Sequence, residues 1–150
     1  KVYPILSMAS TGSNNCDPGL TPDGTATATV TNPGTDTYGF LWYSGNTVTP
    51  GNELSVALNN ANQATAINLG GPFIPALTYT ALVTNNRTNC SSFSSVIVAD
   101  ISVVPVLSLV DTDPQTICAP ANAVNGRVEL QIDNPVPTAA PGDYVFTWHN

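Results

Sequence analysis

Two segments of this chain, about a hundred residues apart, carry the same order of apolar, turn and cysteine positions. Cys16 and Cys118 lie 102 residues apart, and the run from Gly24 to Pro33 returns at the same offset as Gly126 to Pro135. Matches also join the apolar runs Val2 to Met8 and Val103 to Leu109, and the aromatic triplets Tyr38, Phe40, Trp42 and Tyr144, Phe146, Trp148. Such a match over largely unlike side chains indicates a duplicated structural unit. The chain is a tandem array.

The period of the repeat predicts the domain organisation. Residues 1–101 form one complete repeat, and residues 102–150 form the N-terminal half of a second repeat that stops just past Trp148. Half a repeat is too short to bury a core of its own. We therefore expect the parent polypeptide to continue and to complete the second unit.

Composition excludes several function classes. Three Lys or Arg against ten Asp or Glu give a net charge of -7, and nucleic-acid binding needs clustered cations that release counterions from the phosphates. We therefore expect no nucleic-acid partner and no binding to anionic membranes. No apolar run reaches the ~18 residues that span a bilayer, so no direct membrane insertion is predicted. A polar surface built from Thr, Ser and Asn, with scarce Lys, favours an extracellular protein.

Alternation of apolar and polar residues predicts strands in both copies. In the first copy Ala26, Ala28 and Val30 alternate with Thr25, Thr27 and Thr29. The second copy keeps the alternation with different side chains: Arg127, Val128, Glu129, Leu130, Gln131 and Ile132. A period of two is typical of an antiparallel strand with one face on a core and the other in water.

The remaining strands of the first copy follow at regular intervals. We predict them over the aromatic run 38–42, over 54–58, at Ile67 and Leu69, over 77–84 with Tyr79, Ala81 and Val83 inward, and over 96–98. A helix between Glu53 and Ala66 is the competing interpretation of the 54–58 segment, and the Asn residues there argue against it. About seven short strands separated by turns predict an all-β fold, an immunoglobulin-like Greek-key sandwich in tandem repeats.

The three cysteines predict a disulfide in each complete repeat. Cys16 precedes the first sheet strand and Cys90 precedes the last, so we expect a Cys16–Cys90 bond, with Cys118 joined to a partner beyond the chain end. In the chain-entropy model a loop of this length stabilises a fold by about 4 kcal/mol, and small secreted domains often depend on such bonds. The alternative is three buried, reduced thiols. A metal site is less favoured, because the chain has no Cys-x-x-Cys and no His nearby.

The ordered set of motifs in the first copy resembles a known group. These motifs are the leading Cys16, the Gly24 strand with its alternating apolar positions, the Tyr-x-Phe-x-Trp run of 38–42, the strand 79–84 and the closing Asn89-Cys90. The repeat resembles the immunoglobulin-like tandem repeats of giant Bacteroidota cell-surface adhesins of the gliding-motility kind. That resemblance implies export through the type IX secretion system and a stalk role within a long surface filament.

Few residues suit catalysis or metal binding. The single histidine, His149, lies in the half repeat, so no Ser-His-Asp arrangement can form within the complete one, and we predict no enzyme activity. Asp100, Asp111 and Asp113 near the repeat junction offer a calcium site, but Asp residues beside Pro also make a good turn, and we favour the turn. No cofactor is expected.

Two aromatic residues outside the predicted core are candidate ligand contacts, namely Tyr43 and Phe73. Trp42, with Tyr38 and Phe40, occupies the face that alternation assigns to the core, so we expect core packing there rather than sugar stacking.

We therefore expect a structural stalk repeat of a secreted bacterial adhesin filament at the cell surface, related to gliding motility and surface attachment. Its expected partners are neighbouring repeats of the same polypeptide, with surface polysaccharide or proteins of the motility machinery as further candidates. The alternative function is a carbohydrate-binding immunoglobulin-like module that holds polysaccharide through loops at one end of the sandwich.

Overall fold

The computed structural model describes residues 2–71, 76–117, 125–133 and 144–149. The chain divides into two compact units, residues 1–102 and residues 103–150. Unit 1 contains six strands and one short helix: β1 (Leu6–Thr11), β2 (Gly24–Val30), β3 (Tyr38–Ser44), α1 (Val56–Asn59), β4 (Thr65–Leu69), β5 (Ala76–Asn85) and β6 (Ser91–Ala99). Unit 2 contains β7 (Leu107–Asp113) and β8 (Arg127–Ile132).

Unit 1 is built from two three-stranded antiparallel sheets. One sheet has the order β1-β2-β4 and the other has the order β3-β5-β6. Residues of both sheets meet in a single buried cluster, so the sheets face each other across one core. The predicted all-β class is confirmed.

The predicted inward positions of β2 and β5 are confirmed. Ala26 and Ala28 of β2 are buried, as are Tyr79, Ala81 and Val83 of β5. On the outer face, hydroxyl pairs join neighbouring strands: Thr11 with Thr25 at 2.8 Å and Thr27 with Thr65 at 3.0 Å. Such cross-strand pairs stabilise a sheet whose outer face carries few charges.

Trp42 of β3 is the largest side chain in this core and is 0% exposed. Its indole N–H donates to the carbonyl oxygen of Gln63 at 2.9 Å. The facing positions of β2 and β4 are small, Ala26, Ala28 and Ala66. The aromatic ring therefore fills the volume that the alanines leave, which is how close packing is reached with few large residues.

The strand predicted over residues 54–58 is wrong, because residues 56–59 form the helix α1. The Ser55 hydroxyl accepts from the N–H of Leu58 at 3.3 Å and so caps the first turn. Asn60 ends the helix in the left-handed conformation, with φ of 51°, a conformation that Asn tolerates better than most residues. The alternative helix was thus the better interpretation, although only one turn of it forms.

The chain enters and leaves unit 1 at opposite ends of the sandwich. Ser13, just after β1, forms a parallel bridge with Asp100, just after β6, so β1 and β6 run in the same direction. We call the end that carries Val2, the 31–37 turn and the 85–90 turn the proximal end. The other end carries the 12–23 loop and Asp100, and we call it the distal end.

Unit 2 repeats the first hairpin of unit 1. Leu107 pairs with Ile132 and Leu109 pairs with Leu130 in β7 and β8, at the positions where Leu6 pairs with Val30 and Met8 with Ala28. The chain approaching each hairpin is also held alike: the N–H of Thr31 donates to Ile5, and that of Asp133 donates to Val106. The duplication seen in the sequence is therefore a duplication of backbone pairing. In the part of the chain that the structure describes, no helix has the length and apolar character needed to cross a membrane.

Candidate functional site

Tyr43 is not an exposed ligand contact, contrary to the prediction. The residue is 5% exposed, because the segment 52–54 lies along β3 and bridges Tyr43 through Glu53. Burial, and secondarily the nearby Glu53 carboxylate, raise the pKa of the Tyr43 hydroxyl above its usual value. Alternation correctly placed Tyr43 on the face opposite Trp42, but the covering segment was not foreseen. The second candidate, Phe73, lies outside the described residues, as does Cys118.

The predicted Cys16–Cys90 disulfide is wrong for this fold. Both residues are present as thiols. Cys90 immediately precedes the nine-residue strand β6 at the proximal end, whereas Cys16 follows Ser13, which bridges Asp100 at the distal end. A strand of that length spans about 30 Å, and the residues between Ser13 and Cys16 recover only about 11 Å of it.

The two cysteine Cα atoms are therefore at least about 15 Å apart, and a disulfide needs a separation under about 7 Å. Cys90 is buried beside the 85–90 turn, where its carbonyl oxygen accepts from the N–H of Asn85 at 2.9 Å. The Cys16 sulfur donates to the carbonyl oxygen of Asn14 at 3.9 Å. Each cysteine thus belongs to a different end of the sandwich.

The aspartates considered for calcium have protein partners. Arg127 forms ion pairs with Asp111 at 3.0 Å and with Asp113 at 3.7 Å. An Asp100 carboxylate oxygen accepts from the N–H of Ser102 at 2.9 Å. Within residues 2–71, 76–117, 125–133 and 144–149, no three His, Cys, Asp or Glu side chains come together as a metal-binding group.

Unit 2 presents an apolar groove, and the residues that line the groove explain its origin. The groove is lined by residues of β7 and β8 and of the 144–148 segment, among them Leu107, Leu130, Ile132, Phe146 and Trp148. These positions correspond to Leu6, Ala28, Val30, Phe40 and Trp42 of unit 1, which belong to the core or pack against it. Because these counterparts are buried or partly buried in unit 1, we interpret the groove as a face that corresponds to the unit 1 core rather than as a ligand site.

A cleft of about 400 Å³ lies at the proximal end of unit 1. It lies between the chain segment that leads into β1, the 31–37 turn and the 85–90 turn. We call it the proximal cleft, and its principal lining residues are Tyr3, Asn32, Asp36, Tyr38, Arg87 and Thr88. Because both turns are short and pinned by hydrogen bonds, the lining residues are fixed relative to one another.

A bidentate ion pair forms one wall of the proximal cleft. The Arg87 Nε and Nη2 atoms donate to the two carboxylate oxygens of Asp36 at 2.6 and 2.9 Å. Asn85 supports the pair: its amide nitrogen donates to Asp36 at 2.7 Å. Hydrogen bonds from Arg87, and then from Asn85, lower the pKa of Asp36 to about 2, because they stabilise the charged carboxylate. The carboxylate thus stays ionised well into acid.

Asn85 organises the turn that carries the guanidinium. This residue is 4% exposed, and its side-chain oxygen accepts from the N–H groups of Arg87 at 2.9 Å and Thr88 at 3.0 Å. A side chain that closes the following backbone in this way forms an Asx-turn. The turn closes further because Asn89 adopts a positive φ of 55°. The position of Arg87 is therefore set by the fold before any ligand arrives.

Two tyrosines also line the cleft. Tyr3 is 59% exposed, and its backbone carbonyl accepts from the Asn32 amide at 3.1 Å, which fixes the segment before β1. The Tyr38 hydroxyl donates to the carbonyl oxygen of Pro33 at 3.0 Å. The cleft thus offers flat rings, hydrogen-bond donors and one cation, which suits binding rather than covalent chemistry.

Sequence reasoning did not find Asp36 and Arg87. The two residues are 51 positions apart, and the 85–89 segment was interpreted only as a polar turn. One signal was present, since Arg87 is the only Lys or Arg between residues 2 and 102. In a chain this poor in positive charge, an isolated cation indicates an ion pair or a binding site.

Comparison with known proteins gives no assignment. No protein-family model matches the chain. No curated protein and no solved structure matches it either.

Proposed function

We propose that unit 1 is an immunoglobulin-like Greek-key sandwich and that the chain is part of the stalk of a secreted adhesin filament at a bacterial cell surface. The sheet orders β1-β2-β4 and β3-β5-β6 support the fold, since they correspond to strands A, B, E and C, F, G of that architecture. In this correspondence α1 takes the place of the strand between C and E.

Two side-chain features support the same fold. Immunoglobulin-like sandwiches carry a buried Trp on strand C and a tyrosine corner near the start of strand F. Trp42 on β3 is fully buried, and the hydroxyl of Tyr79 on β5 accepts from the backbone N–H of Gly70, nine residues upstream. The positions that carry the disulfide of antibody domains correspond here to small core residues such as Ala81.

The observation that carries the stalk proposal is the exit of the chain from unit 1. Entry and exit lie at opposite ends of the sandwich, so repeats joined in series extend in one direction. The exit segment is tied down as well, because Ser13 accepts from the N–H of Ile101 and donates to the carbonyl oxygen of Ala99, both at 2.8 Å. A tied exit supports a stalk role, because the chain leaves the sandwich at a fixed point.

A mechanical role fits the rest of the chain. The repeated hairpin of unit 2 supports a series of similar domains, and the single histidine of the chain gives little scope for acid-base catalysis. The resemblance of the repeats and the Lys-poor, Thr-rich composition support the proposal that the protein is secreted and displayed at the surface of a Bacteroidota cell. Export by the type IX system and a link to gliding motility belong to the same proposal.

Small-angle scattering tests the stalk role on polypeptides that carry residues 1–102 once, twice and three times in succession. Unit 1 contains its own closed core, so each copy should fold. The maximum dimension should grow linearly, by about 30 Å or more per repeat, which is the length of its longest strands. Growth with the square root of the repeat number, as for freely jointed units, would contradict the proposal.

The location is tested separately. Antibodies raised against the chain should label intact cells of the organism that produces it, and brief protease treatment of those cells should remove the label. Label that appears only after the cells are opened would contradict surface display.

A further inference from the structure

We propose that the proximal cleft binds an acidic saccharide, a polymer that contains hexuronate rings, and this function goes beyond the stalk role. The cleft lies at the end of the sandwich where turns from both sheets meet. Its volume of about 400 Å³ lies within the range of known small-ligand sites, about 300 to 1,000 Å³. One or two sugar rings fit such a volume.

The unused donors of Arg87, rather than the net charge of the cleft, point to a carboxylate on the ligand, because Asp36 already balances the charge of Arg87. The Arg87 side chain is 73% exposed while that of Asp36 is 13% exposed, so the surface of the pair is mostly guanidinium. Asp36 uses both carboxylate oxygens on Arg87 and Asn85. Arg carries five N–H donors, and only two of them are engaged by Asp36. Its other donors have no hydrogen-bond partner among the described residues. Because the guanidinium is planar and rigid, the directions of these donors are fixed.

Preorganisation makes this lone cation effective. Asp36 holds the guanidinium in place, and Asn85 holds the backbone of Arg87. A ligand carboxylate therefore meets a side chain that has already lost much of its conformational freedom, which reduces the entropic cost of binding. An exposed arginine without such support would give little net affinity.

The aromatic rings point to a sugar. A pyranose ring presents a face of C–H groups that packs on a flat aromatic ring while its hydroxyl groups hydrogen-bond at the edge. Tyr3, 59% exposed, offers such a face, and Asn32 and Thr88 line the same cleft. Tyrosine suits this task because it combines an apolar ring with a polar tip.

The overall charge of the chain narrows the ligand class. With a net charge of -7, the protein repels polyphosphates and nucleic acids, and it repels a continuous polyuronate for the same reason. The ligand is therefore a saccharide in which a single hexuronate ring lies among neutral rings. A hexuronate ring carries a single carboxylate, which matches the single guanidinium in the cleft. The hydroxyl groups of the same ring match the surrounding amide and hydroxyl groups.

Calorimetric or NMR titration of the full chain tests the proposal, with an acidic trimer of one galacturonate and two neutral hexose rings as the ligand and the matching neutral hexose trimer as the parallel ligand. We expect the acidic trimer to bind at least about tenfold more tightly, the ratio for one charge-assisted hydrogen bond. Arg87→Gln should lower this affinity about tenfold or more. Arg127→Gln, which removes the same charge from unit 2, is the matched control and should leave it unchanged.

Tyr3→Ala keeps the test decisive if Arg87→Gln weakens the fold. The Tyr3 ring is exposed, and the hydrogen bond from Asn32 goes to its backbone, so the fold should survive while the affinity drops severalfold. Four results would overturn the proposal: no binding of the acidic trimer at millimolar concentration, equal binding of the neutral trimer, equal binding of a glutamate-rich peptide, or an affinity that Tyr3→Ala leaves unchanged.

Discussion

The phenol oxygen of Tyr79 accepts a hydrogen bond from the backbone N–H of Gly70 across 2.9 Å. Tyr79 lies in the core within β5 and is 6% exposed, while Gly70 directly follows β4 in the other sheet. Gly70 adopts a φ of 93°, which only glycine adopts at little cost. The contact therefore joins the two sheets at the point where the chain leaves β4.

Tyr79→Phe should lower the free energy of unfolding by about 1 to 3 kcal/mol, because the N–H of Gly70 loses its partner in a part-buried position. Urea unfolding followed by circular dichroism measures the change. Tyr38→Phe is the matched control, since the Tyr38 hydroxyl bonds to Pro33 in an exposed position. An equal loss in both variants would contradict a special role for the Tyr79 contact.

Gly24 and Gly126 occupy the same place in the two repeats but have different surroundings. A Cβ at Gly24 would lie 2.5 Å from the carbonyl oxygen of Leu69 and 2.7 Å from a methyl group of Val98. Among the described residues, a Cβ at Gly126 would meet nothing closer than 3.4 Å. Gly24→Ala should therefore destabilise unit 1 by about 1 to 3 kcal/mol, as overpacking does.

Gly126→Ala serves as the control in the same urea titration and should not change the unfolding of unit 1. The neighbours of Gly24 include backbone, which cannot rotate away as a flexible side chain can. If Gly24→Ala unfolds at the same urea concentration as the unsubstituted protein, β2 and β4 are not packed as closely as described.

Oxidation should not join Cys16 to Cys90. The two thiols lie at opposite ends of unit 1, so no bond can form unless the domain unfolds. Mass spectrometry of peptides produced without reduction should find no peptide pair that links them, and the melting temperature should be the same with and without a reducing agent. A linked pair in folded protein would restore the disulfide and contradict the strand order.

Stability should fall as the pH is lowered from about 4 toward 2. Asp36 has a pKa of about 2 in the folded state and a higher one, about 3.9, when unfolded. Its contribution is thus complete above the unfolded value and is lost as the pH drops through the folded value. Chemical denaturation at successive pH values measures this slope.

Asp36→Asn should flatten the acid limb of that profile, because the substituted residue no longer takes up a proton on unfolding. Asp17→Asn, in the exposed 12–23 loop, is the control and should keep the limb. If Asp36→Asn keeps the acid limb of the unsubstituted protein, as Asp17→Asn should, the bidentate pair with Arg87 does not lower the pKa of Asp36.

Strands with a long alternation of apolar and polar residues were predictable, because such a run fits a period of two and not the helical period. Ala26 and Ala28 in β2 illustrate this, and the second copy repeats the alternation with other residues. The 54–58 segment was too short for such a test, since five residues fit both a strand and a helical turn. The cap at Ser55 and the left-handed Asn60 decide it, and these are local hydrogen-bond and backbone effects.

The candidate site was less predictable because it depends on contacts between distant residues. Asp36 and Arg87 meet only when β3 and β5 pair, and neither turn carries a recognisable motif. The disulfide prediction failed for the same reason. Both precede a strand in the sequence, yet their distance depends on the direction in which each strand runs.

Trp42 and Trp148 hold equivalent positions in the two repeats, and they should behave differently. Trp42 is 0% exposed and Trp148 is 62% exposed. Trp42→Ala should cost about 3 to 5 kcal/mol of unfolding free energy, since it empties the centre of the unit 1 core, whereas Trp148→Ala should leave the unfolding of unit 1 unchanged. Acrylamide quenching checks the exposure directly: the Trp148→Phe protein should retain a blue-shifted, protected emission, and the Trp42→Phe protein a quenchable one. Equal quenching in both would show that the aromatic position of unit 2 is covered in solution, as its counterpart is in unit 1.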